Sequence, residues 1–110
     1  NMADAENSEA ISPVSTNTML NYLNLDDTPE NNELLGDLIN QATDFINNSF
    51  NSSNLSASEL KNDQTYVLAV KALCSSLYYD RAMSQGIPAG VKMCIAILQG
   101  RYDEWPANQD

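Results

Sequence analysis

The chain has 110 residues, 43% of them hydrophobic, with a formal net charge of −10 from 15 acidic and 5 basic side chains. That is the length of one domain with a modest core, and its charge repels phosphate backbones and anionic membranes, because both need Lys and Arg to displace counterions. The excess of carboxylates serves either solubility by charge repulsion or a surface past which DNA slides or which imitates DNA.

Residues 1–14 lack any hydrophobic period and contain Ser12-Pro13, which predicts a disordered lead-in. With neither a basic stretch nor an apolar run near the start, an intracellular setting is expected. A short helix is predicted from about Thr16 to Leu23, where Met19, Leu20 and Leu23 share one face. Asn24 to Asp27 then makes a turn.

Thr28 is a good N-cap, Pro29 suits the first helical position, and Glu30 and Glu33 favour the positive end of the helix dipole. Leu34, Leu35, Leu38, Ile39, Ala42, Phe45 and Ile46 follow at the spacing of a single buried stripe. Glu33, Asp37, Asn40, Asp44 and Asn47 fall on the water side. The Asn- and Ser-rich stretch from Asn47 to Asn62 reads as a loop, either a docking loop or a plain connection. Within it Ser56 and Glu59 have capping-box spacing, which can start a turn of helix. The sequons at Asn47, Asn51 and Asn54 belong to this loop.

A second long helix is predicted from about Asp63 to Ser84. Its main stripe is Tyr66, Val67, Val70, Leu73, Cys74, Leu77 and Tyr78, and a second apolar set lies behind it: Leu68, Ala72, Tyr79 and Met83. A helix apolar on two faces is buried from two directions. Either the other helices wrap it centrally, or its second face meets another subunit or partner. Gly86-Ile87-Pro88 turns the chain into a last helix from about Ala89 to Gln99, with Gly100 as its stop. Val91, Cys94, Ile95 and Leu98 face the core and Met93 and Ile97 lie opposite. Residues 101–110 read as a polar tail in which Trp105 either folds back on the body or anchors a partner. The expected fold is all-α: a small bundle of three main helices preceded by a short one, over residues 15–100, with flexible tails.

The sequence has no histidine, which removes Ser-His-Asp and Cys-His arrangements. Cys74 and Cys94 lie in apolar helical runs and are expected as free, core-filling thiols; two cysteines without histidine do not complete a structural zinc site. The four glycines are scattered rather than gathered into a phosphate loop. Asp26 to Asp37 has the length of a calcium loop but fails at its turn position, where Asn31 replaces glycine. No cofactor, metal or catalytic residue is expected, and the chain does not read as an enzyme.

The segment order carries a resemblance. YLNLDD (Tyr22 to Asp27) precedes the helix ELLGDLINQATDFI (Glu33 to Ile46); after the loop come VLAVKALCSSLYYDR (Val67 to Arg81), GIPAGV (Gly86 to Val91) and a last apolar helix. This is similar to the head–tail connector, or adaptor, proteins of long-tailed bacteriophages and prophages. The likeness spans about Thr16 to Leu98 and is most specific at Tyr78 to Arg81 and Ile87 to Val91. The segment MCIAILQGRYDEWP departs from the Arg- and Leu-richer end usual in that family.

The resemblance implies a helical subunit that assembles as a ring under the phage portal, in the virion neck, after synthesis in the bacterial cytoplasm. The ring would extend the DNA channel and dock a head-completion or tail protein, with DNA passing unread and no membrane involved. On that reading the subunit or partner interface is expected at Leu68, Ala72, Tyr79, Arg81, Met83, Met93, Ile97 and Trp105, with Arg81 either pairing with an acid of its own or a neighbouring subunit or standing as a surface Arg near a helix C-terminus. Two other functions fit an acidic helical chain: a DNA-mimic inhibitor, which requires carboxylates along one continuous face, and a small regulator acting through helix-in-groove contacts.

Overall fold

The computed structural model of the chain describes residues 13–103. Among them are five helices and no strand: α1 (Thr16–Leu23), α2 (Pro29–Asn47), α3 (Ala57–Asn62), α4 (Gln64–Tyr79) and α5 (Ala89–Tyr102). The all-α bundle of three main helices led by a short one is thus the fold.

Local chemistry sets the starts of four helices. Ser15, Thr28 and Ser56 accept the amides of Thr18, Asn31 and Glu59, each at 3.1 Å, and Asp63 caps α4. These bonds satisfy N–H groups that the first helical turn leaves without partners. At α3 the Glu59 carboxylate also accepts the Ser56 amide at 2.8 Å, completing the capping box. α1 ends at Asn24, whose φ of 58° is left-handed, a conformation Asn tolerates better than most residues. The Leu25 amide then returns to the Leu20 carbonyl at 2.9 Å, closing the helix end.

α4 is the central element. It packs against both α2 and α5, whose backbones scarcely approach each other, while α1 and α3 lean on α2 and α4. Tyr66, Ala69, Val70, Leu73, Cys74 and Leu77 of α4 meet Leu35, Leu38, Ile39, Ala42 and Ile46 of α2 and Val91, Cys94 and Leu98 of α5 in one buried core.

Several expectations need correction. Val14, assigned to the lead-in, is 2% exposed and belongs to the core. Phe45, placed in the buried stripe of α2, is exposed. It stands one residue, ~100° of helical rotation, from Ile46, which lies on the buried line. Asn47, expected on the water side, turns inward and accepts a hydrogen bond from the Tyr66 hydroxyl. Phe50, in the expected loop, is buried and packs between Tyr66 and Tyr102, with ring centroids at 6.1 and 5.6 Å.

α4 stops at Tyr79 rather than Ser84. Asp80 takes φ −151°, and its carboxylate accepts the Ser84 hydroxyl at 2.8 Å and the Gln85 amide at 3.3 Å, folding 80–85 into a turn. Met83 adopts φ 53° there and Gly86 φ 78°, the latter a conformation that suits glycine. α5 runs through Gly100 to Tyr102, so residues 101–103 belong to the body. The flexible ends expected at 1–12 and 104–110 lie outside the described residues.

Candidate functional site

The outward faces of α4 and α5 carry the candidate assembly surface. Leu68 is 51% exposed, Tyr79 73%, Met93 67% and Ile97 45%. Leu68 and Tyr79 are eleven positions apart in the sequence, about three turns at 3.6 residues each, and so share one side of α4. Met93 and Ile97 are neighbours at i, i+4 on α5. The Tyr79 ring stands edge-on to Tyr78 with centroids 5.0 Å apart.

The structure brings only part of the expected set to the surface. Ala72 is half-buried and packs on the core. Met83 lies beyond the end of α4 and turns inward from its left-handed position. Both are therefore only partly exposed in the single chain, Met83 because the turn that Asp80 builds carries it toward the core. Arg81 is exposed and makes no ion pair among the described residues. The intrasubunit pairing expected for Arg81 is absent there. Trp105 lies outside the described residues. Two further large apolar side chains are exposed, Phe45 and Tyr22, the latter covered by the Lys71 ammonium 4.8 Å from its ring centroid.

A polar clasp fixes the end of α5. Asp63 is 8% exposed. One carboxylate oxygen accepts the amides of Thr65 and Tyr66 at 3.0 and 3.1 Å; the other accepts Arg101 Nη1 at 2.7 Å and the Tyr102 hydroxyl at 2.5 Å. Gln99 Nε2 donates to the Ser49 carbonyl at 2.9 Å, and the Asn51 amide donates to Asp103 at 2.7 Å. The stretch after α2 is therefore held by α5, which sequence spacing alone did not reveal. An open groove of about 520 Å³ beside the clasp is lined by Leu55, Glu59, Asn62, Asp63, Gln64, Thr65, Arg101 and Tyr102.

The chemistry available here is limited. Burial raises the pKa of Asp63, but hydrogen bonds from Tyr102, Arg101 and the Tyr66 amide, with the Arg101 charge, outweigh it and hold the carboxyl below its ordinary value. A carboxylate with both oxygens occupied by donors is a poor proton acceptor. Burial pushes the Cys74 thiol up to about 11 and raises that of Cys94, which disfavours the nucleophilic thiolate. Among the described residues no cluster of His, Cys, Asp and Glu could hold a metal, and no described helix is long and apolar enough to cross a membrane.

A second surface was only partly anticipated. Glu30, Glu33, Asp37 and Asp44 are all exposed on α2. Steps of 3, 4 and 7 residues keep them in one row opposite the buried line of Leu35, Leu38, Ala42 and Ile46. No protein-family model, curated protein or solved structure matches the chain.

Proposed function

We propose that the chain is a structural head–tail connector subunit that assembles as a ring under a phage portal, extends the DNA channel, and docks a head-completion or tail protein. In this reading it performs no catalysis. The carrying observation is the exposure of Leu68 and Tyr79 on α4 and of Met93 and Ile97 on α5. Large apolar side chains left in water on adjoining helices are what an assembly contact buries. The resemblance of the segment order to that of connector proteins supplies the rest of the support.

The test is solution mass by light scattering over a concentration series, alone and with portal rings. Discrete multimers, or stoichiometric loading onto the portal, are expected. A protein that associates with neither itself nor the portal overturns the reading.

The acid row of α2 favours a second reading, an acidic DNA mimic, since it supplies carboxylates along one continuous face. That reading requires the protein to compete with duplex DNA for a nuclease or repressor. Failure to compete in a titration rejects it.

A further inference from the structure

The groove beside the Asp63 clasp has chemistry that the clasp does not use. Leu55 and Tyr102 supply apolar wall, and the Arg101 guanidinium stands 5.9 Å from the Tyr102 ring centroid. Arg101 is exposed and lines the groove, so a second ring can stack on it. The side-chain amides of Asn62 and Gln64, also on the lining, are exposed and form no hydrogen bond among the described residues. Apolar wall, a cation and free acceptors together fit an indole. Its ring is the strongest aromatic partner for a cation, and its Nε1–H needs an acceptor.

An indole of the same chain is within reach. α5 ends at Tyr102, which lines the groove, and Asp103 turns off the helix with φ −75° and ψ 140°. The Asp103 carboxylate accepts the Asn51 amide at 2.7 Å, which fixes where the chain leaves the body. Trp105 follows two residues later, and two residues of chain extend about 7 Å at most.

We propose that the Trp105 indole docks in this groove of its own chain, its ring against Leu55 and Arg101 and its Nε1–H donating to the side-chain oxygen of Asn62 or Gln64. The occupant is the chain's own Trp105 because so short a tether holds the ring beside the groove at an effective concentration of about a millimolar. A second copy in dilute solution does not match that. Docked there, the ring covers the Asp63 clasp and ties the end of α5 to α3 and the start of α4. Trp105, expected at the subunit interface, is then engaged by its own subunit. The contact stands whether or not the chain is a connector.

Trp105 is the single tryptophan of the sequence, so indole fluorescence of the full chain reads this contact alone. Native emission is expected to be shifted to the blue of that in concentrated urea, with the indole shielded from acrylamide. Both properties should hold at concentrations where light scattering finds only monomer. Leu55→Asp places a charge on the apolar wall. It should shift the emission to the red and restore quenching while helical circular dichroism is kept. On wild type itself, nuclear Overhauser contacts are expected between the indole protons and the Leu55 methyl groups, a result that does not depend on the variant folding.

Native emission equal to that in urea overturns the proposal, as does the absence of contacts between the indole and Leu55. A folded Leu55→Asp chain with unchanged emission shows that the indole rests elsewhere and rejects the groove. Shielding that arises only at concentrations where the chain associates assigns Trp105 to a contact between copies, which rejects the docking within one chain and leaves the connector reading standing.

Discussion

Asp63 joins three parts of the chain through one side chain: it caps α4, receives Arg101 and Tyr102 from α5, and follows directly on α3. Its carboxyl titrates below the ordinary 3.8 in the fold and near that value when unfolded. A depressed folded pKa means that the contribution to stability is full above the unfolded pKa and is lost as pH falls through the folded one. Replacing Asp63→Ala is expected to cost ~2 kcal/mol at neutral pH, about half from the cap and half from the Tyr102 bond. Solvent screens the exposed Arg101 guanidinium, so the ion pair adds little to that sum. Urea denaturation should show the gap between wild type and variant narrowing below about pH 4; a gap independent of pH would contradict the assignment. Thr43 behaves in the opposite way. It is 7% exposed and its hydroxyl has no hydrogen-bond partner among the described residues. The near-isosteric Thr43→Val removes an unsatisfied polar group and should stabilise by ~1 kcal/mol, raising the melting temperature by roughly 4–8 °C for a domain of this size.

Helix starts were legible in the sequence because capping chemistry is local: Thr28-Pro29 and the Ser56/Glu59 pair act within one turn. Helix ends were less so. Gly100 reads as a stop, yet α5 continues because Arg101 and Tyr102 are held by Asp63, 38 and 39 residues away in sequence. A spacing rule has no access to that contact. The consequence is measurable. A Cβ at Gly100 would meet nothing within 4 Å, and the backbone there is not left-handed. Gly100→Ala should therefore stabilise by ~0.5–1 kcal/mol through helix propensity, whereas a true left-handed stop would be destabilised by the same change. Calorimetry separates the two. The end of α4 was missed for a related reason: Asp80 spends its carboxylate on Ser84 and Gln85, and the turn that results carries Met83 inward. Periodicity gave Leu68, Tyr79, Met93 and Ile97 correctly as outward-facing. Ala72, on the same side of α4, is only partly exposed because a small side chain is shielded by whatever packs beside it.

At the scale of the molecule, α4 serves as a spine on which α2 and α5 pack, with a row of exposed acids on α2 and exposed apolar side chains on α4 and α5. That all five cations follow residue 60 is plain in the sequence; that α4 is the element both others pack on required the fold. If the α4–α5 surface is an assembly contact, its side chains can be changed without harming the core. The double variant Leu68→Ser/Met93→Ser should keep wild-type helical circular dichroism, since both residues are more than half exposed, yet lose association. The most direct measurement is the light-scattering mass of wild type and this variant across one concentration series, repeated with portal rings. The account predicts discrete multimers or portal-loaded rings for wild type and the monomer mass for the variant. A wild type that remains monomeric under both conditions, or a variant that assembles equally well, contradicts it.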